Sequence, residues 1–228
     1  MNEQKSKKTA LIVGASGLVG GHCLDMLLQD NYYDKVISIG RKALPISHKK
    51  LQQEIVDFDH LDKSINIINA DHVFCCLGTT IKKAKTKDNF IKVDFTYPIK
   101  VAKISKQNGA ESFSIITALG ANKHSPIFYN KTKGEVEAAL KEVGFDSLYF
   151  FRPSLLLGDR KESRAGEKIG IAVFKVAEPL FVGPFKKFKG IESSAIAFVM
   201  IMCAKKEESG LHIYESQTIQ RIFNNAAR

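Results

Sequence analysis

Long hydrophobic runs are absent from this sequence of 228 residues. A membrane-spanning helix needs roughly 20 consecutive apolar residues, and the longest candidate, Ala195 to Ala204, is too short. The polar, lysine-rich first residues lead directly into an apolar segment at Ala10. They lack the separate apolar stretch and small-residue cleavage site of an export signal. We therefore predict a cytoplasmic protein with no membrane partner.

Cysteine is scarce, and the four residues Cys23, Cys75, Cys76 and Cys203 show no metal-ligand spacing. The six histidines are dispersed, and no pair of them has the spacing of a zinc site. The sequence therefore predicts no metal site. Reduced cysteines in a cytoplasmic protein are the preferred interpretation.

Acidic residues are outnumbered, with 24 Asp and Glu against 34 Lys and Arg and a net charge of +10. Such a charge raises the question of nucleic acid as a partner. The lysines are scattered along the chain rather than collected in one block, so a solvated basic surface is favoured and nucleic-acid binding is not expected. A phosphate-rich cofactor would benefit from the same positive field.

Glycines at a spacing of three follow the first apolar segment. Ala10 to Val13 has the composition of a strand buried on both faces. Gly14, Gly17 and Gly20 come next, and apolar residues then recur with helical period. In a dinucleotide site the first glycine makes a tight turn, the second lets the backbone approach a pyrophosphate, and the third lets the helix pack closely on the strand. The alternative is a plain strand-to-helix turn without ligand.

The residues after the second and third predicted strands are those expected to contact the adenosine part of such a cofactor. Arg41 follows the strand Lys35 to Ile39, and no carboxylate lies between Val36 and Leu51. An Arg at this position accommodates a 2′-phosphate, whereas an acidic residue would bind an unphosphorylated ribose, so NADP(H) is favoured over NAD(H). An exposed loop arginine is the alternative. Asp57, after the third strand, either approaches the adenine amino group or caps the following turn.

Strands and helices alternate six times, with no repeat or linker between them. This pattern predicts an α/β fold with a doubly wound parallel sheet of six to seven strands and helices on both faces. We expect one NAD(P)-binding domain over residues 1–228, in which residues 158–190 form a small cap on the substrate side or a surface excursion. Pro98 is expected to kink a helix over residues 88–108 or to lie in the first turn of a shorter one. Residues 218–228 are expected to form a short tail.

Tyr129 and Lys133 stand four residues apart at the start of a predicted helix, so phenol and ammonium share one face. A neighbouring cation favours the phenolate. A phenol in this setting donates a proton to a developing alkoxide, or takes one from an alcohol, while hydride moves between substrate and nicotinamide. Thr117, at the end of the preceding strand, adds a hydroxyl that would orient the same substrate oxygen.

Together, Gly14-x-x-Gly17-x-x-Gly20, Tyr129-x-x-x-Lys133 and Arg152-Pro153-Ser154 resemble the motifs of the short-chain dehydrogenase/reductase superfamily. Three segments are similar to its atypical branch around Tat-interacting oxidoreductase-like proteins and their bacterial relatives: Phe128-Tyr129-Asn130-x-x-Lys133-Gly134-Glu135-Val136-Glu137, Arg152-Pro153-Ser154-Leu155-Leu156-Leu157-Gly158-Asp159-Arg160 and Cys75-Cys76-Leu77-Gly78-Thr79-Thr80. The resemblance covers roughly residues 10–205. It implies a Rossmann fold, Tyr129 as the acid/base, Lys133 on the nicotinamide ribose, and Thr117 in the hydroxyl position. The cofactor residues that follow from the motifs and this resemblance are Gly14, Ser16, Gly17, Leu18, Val19, Gly20, Arg41, Asp57, Leu77, Gly78, Thr79, Lys133, Arg152 and Pro153.

One position departs from the pattern of the superfamily. Many members carry a pair of serines after the fifth strand, whereas this sequence has Thr117-Ala118. The sequence therefore leaves two functions open. One is an NADP(H)-dependent oxidoreductase acting on a small carbonyl or alcohol; the other is an NADP(H)-binding regulatory or redox-sensing protein with little turnover. In either case we expect a monomer or homodimer.

Overall fold

The computed structural model describes residues 7–158 and 190–226 of the chain. A parallel sheet of seven strands runs through the described part in the order β3-β2-β1-β4-β5-β6-β9. Its strands are β1 (Lys8–Val13), β2 (Tyr33–Gly40), β3 (Leu51–Ile55), β4 (His72–Cys75), β5 (Ser112–Ile116), β6 (Ser147–Arg152) and β9 (Gly210–Glu215). Two short segments, β7 (Leu156–Leu157) and β8 (Ile191–Glu192), pair in parallel beside it.

Helices cover both faces of this sheet. They are α1 (Leu18–Gln29), a 3-10 helix (Phe58–Ile67), α2 (Ile81–Ala84), α3 (Lys87–Ile91), a π-helix (Lys92–Thr96), α4 (Tyr97–Gln107), α5 (Phe128–Lys141), α6 (Ser193–Lys206) and α7 (Ser216–Ala226). One core cluster joins α1, α6 and α7 to one face, and a second joins the 3-10 helix, α4 and α5 to the other. The predicted doubly wound α/β fold is therefore confirmed.

Burial on both faces explains the composition of the central strands. All four residues from Ala10 to Val13 are fully buried, which a parallel strand between two helical layers requires. Val13 is level with Ile39 on β2 and with Cys75 on β4. The chain segments that follow these three strands therefore meet at the carboxyl ends of the strands. This end of the sheet, at the point where the strand order reverses, is where open α/β sheets bind their ligands.

The region predicted as one helix over residues 88–108 consists of three parts, with a π-helix between α3 and α4. Pro98 lies in the first turn of α4, where its missing N–H costs nothing. Of the two interpretations of this proline, the first-turn position is the one confirmed. The wider turn of the π-helix, with hydrogen bonds from i+5 to i, shifts the side chains of residues 92–96 relative to a regular α-helix.

The short tail predicted for residues 218–228 is wrong over its described portion, because Ser216 to Ala226 forms α7. Ile219 is fully buried, and the ring of Phe223 packs edge-on against Phe198 of α6 with centroids 5.5 Å apart. A few apolar residues at helical spacing among polar ones are enough to hold this helix on α6.

The cap or excursion expected over residues 158–190 lies outside the described residues, apart from Gly158 and Gly190 at its ends. The single domain over residues 1–228 stays a prediction. Within the described ranges, no helix has both the length and the apolar character needed to cross a membrane.

Candidate functional site

The glycine turn after β1 is built from positions that exclude larger side chains. Gly14 has φ +87°, and a Cβ on it would lie 2.7 Å from the carbonyl oxygen of Cys76. The N–H of Gly17 donates to the carbonyl oxygen of Gly14 over 2.9 Å, which closes the turn. Left-handed backbone and a backbone contact both require glycine here. The predicted role of Gly14 in a tight turn is therefore what the backbone shows.

The start of α1 leaves its first N–H groups available to a ligand. Gly17 is the N-cap and supplies no capping side chain, and the first turn carries no acidic residue. The N–H groups of Leu18, Val19 and Gly20 have no acceptor within the helix. Ser16 and Gly17 are exposed. The turn thus presents unpaired donors and the positive end of the helix dipole, which together suit a phosphate group.

Gly20 sets how closely α1 packs on the turn. A Cβ at this position would lie 2.2 Å from the carbonyl oxygen of Gly14, whereas one on the neighbouring Gly21 meets nothing closer than 3.7 Å. We expect Gly20→Ala to lower the free energy of unfolding by about 1–3 kcal/mol, because the helix must move away from the turn. Gly21→Ala is the matched control, and it should leave stability unchanged or raise it by up to about 1 kcal/mol. Urea denaturation of both variants measures the difference, and equal stability of the two would contradict this account.

Arg41 and Asp57 follow the neighbouring strands β2 and β3. Arg41 is exposed directly after β2, at the same carboxyl end of the sheet as the glycine turn. Asp57 accepts the N–H of Asp59 over 3.0 Å and lies 2.8 Å from Nδ1 of His60. The hydrogen bond with His60 is the main reason that the pKa of Asp57 is lowered. These contacts are those of a turn-capping carboxylate, and the approach of Asp57 to adenine stays a prediction.

The segment after β4 contacts a residue that the sequence analysis did not single out, Asp94 of the π-helix. The N–H of Thr79 donates to Oδ2 of Asp94 over 2.9 Å. A Cβ on Gly78 would lie 3.6 Å from Oδ1 of Asp94 and 3.9 Å from Nζ of Lys133. Gly78 is itself exposed, so the Lys133–Asp94 pair lies directly beneath an accessible backbone position. Leu77 precedes it, partly buried, on the same edge of the sheet.

Lys133 and Asp94 form a buried ion pair, with Nζ of Lys133 2.7 Å from Oδ1 of Asp94 and side chains 5% and 0% exposed. Burial alone would lower the pKa of Lys133, but the charge of Asp94 and the phenol of Tyr129 outweigh it, so the pKa is raised. The ammonium is therefore held in its charged form. Tyr129 and Lys133 both lie in α5, four residues apart, and their joint action on a substrate stays a prediction.

Tyr129 itself stands at the surface of the site. It is 36% exposed, and its ring lies against Phe90 of α3 with centroids 5.7 Å apart. Phe90 is fully buried, so it gives the phenol ring a fixed support. Tyr129 is thus packed against Phe90 and also partly exposed to solvent.

Thr117 and Arg152 are brought to a second unanticipated carboxylate, Glu137 of α5. The hydroxyl of Thr117 donates to Oε1 of Glu137 over 2.7 Å. The guanidinium of Arg152 makes two hydrogen bonds to the same carboxylate, at 2.9 and 2.5 Å. Thr117 is only 4% exposed, and its proton is donated to Glu137. The structure therefore gives both side chains a partner within the protein, and their predicted contacts with substrate and cofactor stay predictions.

Pro153, directly after β6, is hydrogen-bonded to the loop that follows β5. The N–H of Leu119 donates to the carbonyl oxygen of Pro153 over 2.9 Å. Ala118 is buried, at 6% exposure. The hydroxyl that a second serine would supply is thus replaced by a packed methyl group.

Comparison with known proteins agrees with this arrangement. Residues 10–139 match the model of the NAD dependent epimerase/dehydratase family. Protein HTATIP2 of Rattus norvegicus is 43% identical over 164 residues, which cover 70% of this chain and 67% of that protein. Protein FMP52, mitochondrial, of Eremothecium gossypii is 30% identical over 214 residues, covering 92% and 95%.

Among solved structures, the enzyme WbmH of Bordetella bronchiseptica in complex with NAD+ superposes with a TM-score of 0.68 and 17% identity. The match covers 95% of this chain and 79% of that one. At 17% identity this likeness is evidence for the fold alone, and it confirms the predicted α/β fold.

The predicted cytoplasmic location is wrong on these comparisons. Several fungal relatives that align with this chain carry the name FMP52, mitochondrial. The prediction depended on the absence of an export signal, and that absence does not distinguish the cytoplasm from other compartments.

Proposed function

Since the chain belongs to the NAD dependent epimerase/dehydratase family, we propose that it is an NADP(H)-dependent oxidoreductase of the atypical short-chain dehydrogenase/reductase type. Its substrate is a small carbonyl compound or the corresponding alcohol. The observation that carries this proposal is the charged, buried Lys133–Asp94 pair beneath Gly78, with Tyr129 one helical turn away.

The residues present fit a dinucleotide. A Cβ on Gly14 would clash with the backbone of Cys76, and one on Gly20 with the backbone of Gly14, so both glycines are needed for the turn that precedes α1. The N–H donors at the start of α1 suit a diphosphate. When bound, the nicotinamide supplies or accepts a hydride. The exposed backbone of Gly78 offers the passage toward Lys133.

Within this site each side chain has one task. Tyr129 holds a proton at Oη and delivers it to the substrate oxygen, or takes it back in the reverse direction. Lys133 keeps its positive charge one helical turn from Tyr129, where it stabilises negative charge that develops on the substrate oxygen. Asp94 holds the ammonium in place and, through the N–H of Thr79, fixes the segment after β4 relative to α5.

Arg41 is proposed to select NADP(H), since its guanidinium is exposed at the end of β2 and accommodates a 2′-phosphate. We expect Arg41→Ala to weaken NADPH binding about 10- to 100-fold, the value of a hydrogen bond to a charged group, and to leave NADH binding unchanged. Lys49→Ala, which removes an exposed charge from the β2–β3 connection, is the control for a general loss of positive field. Isothermal titration calorimetry with NADPH and with NADH measures the two affinities. An equal loss for NADPH and NADH would contradict the role of Arg41.

A second candidate function is an NADP(H)-binding regulatory or redox-sensing protein with little turnover. Two observations favour it. The hydroxyl of Thr117 donates its hydrogen bond to Glu137, and Ala118 supplies no hydroxyl. The two functions differ in one assay. NADPH oxidation with a panel of aldehydes, ketones and quinones should give turnover with at least one compound. Tight NADPH binding without turnover on any of them would favour the regulatory function instead.

A further inference from the structure

A segment rich in lysine leaves and re-enters the chain at the candidate site. Residues 81–91 contain four lysines and one acidic residue, Asp88. The segment follows Thr79 and precedes Asp94, and the N–H of Thr79 donates to Oδ2 of Asp94 over 2.9 Å. Its two ends are therefore joined beside the Lys133–Asp94 pair. None of its lysines has a task in the proposed oxidoreductase site, so the excess of positive charge there calls for a separate explanation.

Local hydrogen bonds give this segment a defined shape. The hydroxyl of Thr80 accepts the N–H of Lys83 over 3.3 Å and caps α2. The hydroxyl of Thr86 caps α3 in the same way, accepting the N–H of Asn89 over 3.1 Å. The side-chain amide of Asn89 donates to the carbonyl oxygen of Ala84 over 3.1 Å, which ties the two helices together. The lysines exposed on this ordered turn are Lys82, Lys83, Lys85 and Lys87.

Lys85 occupies a backbone position that favours glycine. Its φ is +68°, in the left-handed region where a side chain is strained. A lysine here accepts that strain and adds a charge that glycine would not supply. Lys85 is two residues from Lys87, so their Cα atoms are at most about 7.6 Å apart. This is about the distance over which charges interact at physiological salt, roughly 8 Å.

Lys87 brings this charge to the ring next to Tyr129. Its Nζ lies 5.3 Å from the ring centroid of Phe128, the first residue of α5 and the direct neighbour of Tyr129 in the chain. The rings of Phe128 and Tyr129 both contact Phe90, with centroids 5.5 and 5.7 Å from it. The ammonium is thus placed over an aromatic ring, which attracts a cation, and that ring shares its support with the phenol of Tyr129.

The charge of Lys87 is not balanced by the protein. Within residues 7–158 and 190–226, its ammonium forms no ion pair with a carboxylate. The cations at the start of α5 differ in this respect. Nζ of Lys133 lies 2.7 Å from Oδ1 of Asp94, and Nζ of Lys131 lies 3.9 Å from Oε1 of Glu135. Lys87 is therefore the cation near Tyr129 that is available to an anionic ligand.

We propose that the substrate carries an anionic group, a carboxylate or a phosphate, in addition to its carbonyl, and that Lys87 binds this group while Tyr129 acts on the carbonyl. The inference rests on the proposed oxidoreductase function and narrows its substrate class. An ammonium donates a charge-assisted hydrogen bond to a carboxylate or phosphate oxygen. Lys82 and Lys85 add to the positive field that draws an anion to this end of the site.

The test compares two matched pairs of para-substituted benzaldehydes as substrates of the full chain with NADPH. 4-Carboxybenzaldehyde is paired with its neutral methyl ester, and 4-formylphenyl phosphate with 4-methoxybenzaldehyde. We expect kcat/KM to be at least about tenfold higher for an anionic aldehyde than for its neutral partner, the value of one hydrogen bond to a charged group. The pair with the larger ratio identifies the anion. The preference should shrink as salt is raised, because Lys87 is exposed and its charge is screened.

The variant Lys87→Gln should lose about tenfold of this preference. The loss should appear in KM, with kcat within about twofold of the wild type, because the ammonium binds the substrate away from the reacting atoms. Lys103→Gln is the matched control. Lys103 is an exposed residue of α4, on the order of 13 Å from Asp94 along the helix axis, and its variant should keep the full preference. NADPH affinity should be unchanged in both variants.

Equal kcat/KM within both pairs, an unchanged preference in Lys87→Gln, or a loss of NADPH affinity in that variant would each overturn the inference. Turnover of the neutral aldehydes would at the same time support the oxidoreductase function. Calorimetry of the four aldehydes with the full chain and NADP+ covers the case without turnover. Tighter binding of an anionic aldehyde that Lys87→Gln removes would then support the anion site while the oxidoreductase function fails. Equal binding within both pairs would overturn the anion site.

Discussion

Replacing Tyr129 with phenylalanine is expected to lower kcat about 100- to 10,000-fold, the contribution of a positioned acid/base group. The ring keeps its contact with Phe90, whose centroid lies 5.7 Å away, so only the proton-carrying oxygen is lost. Affinity for NADPH should stay within about twofold of the wild type, since in the proposed site the glycine turn and the segment after β4 hold the cofactor. Steady-state NADPH oxidation and calorimetry measure the two quantities separately.

Tyr97→Phe is the matched control for this variant. The hydroxyl of Tyr97 donates to Oδ1 of Asp59 over 3.1 Å, away from the Lys133–Asp94 pair, so its loss should leave turnover and cofactor affinity unchanged. If Tyr129→Phe retained full turnover, the phenol would not be the acid/base. If it lost cofactor affinity and turnover together, its role would be in binding.

Replacing Asp94 with asparagine is expected to lower the free energy of unfolding by about 3–5 kcal/mol. The variant leaves the Lys133 ammonium buried without a counter-charge, and breaking one side of a buried pair carries a cost of about this size. For a protein of this length, each kcal/mol shifts Tm by roughly 2–4 °C. Thermal denaturation followed by circular dichroism should therefore show a fall on the order of 10 °C.

Two further variants identify the cause of this loss. Asp62→Asn removes an exposed carboxylate from the 3-10 helix and should leave Tm nearly unchanged. Adding Lys133→Met to Asp94→Asn should recover much of the stability, because the unpaired ammonium is then absent. If Asp94→Asn melted like Asp62→Asn, the buried ion pair would contribute nothing to stability.

The sequence was sufficient for the sheet and for the turn that follows β1. The central strand β1 is buried on both faces over Ala10 to Val13 and therefore appears as a continuous apolar run. The glycine spacing follows from contacts that exclude Cβ atoms at Gly14 and Gly20. The helix that carries both Tyr129 and Lys133 also follows from local pattern. These features depend on residues close together in the chain, so local pattern reveals them.

Local sequence pattern could not identify Asp94 and Glu137, because each contacts partners that are distant in the sequence. Asp94 lies in a π-helix, where the side-chain phase differs from that of the α-helix predicted for this region. Glu137 sits on an ordinary helix among other charged residues, and only the fold brings Thr117 and Arg152 to it. In the sequence Asp94 is an acidic residue between Val93 and Phe95 within the helix predicted over residues 88–108, and nothing in that pattern indicates that it is buried.

The central claim is that the turn after β1 holds a diphosphate and directs a nicotinamide toward Tyr129 and Lys133. A crystal structure of the full chain with NADPH tests it most directly. We predict the diphosphate within hydrogen-bond distance of the N–H groups of Leu18 and Val19, and the nicotinamide ring beside the Tyr129 hydroxyl. A nucleotide bound elsewhere, or a nicotinamide turned away from Tyr129, would contradict it.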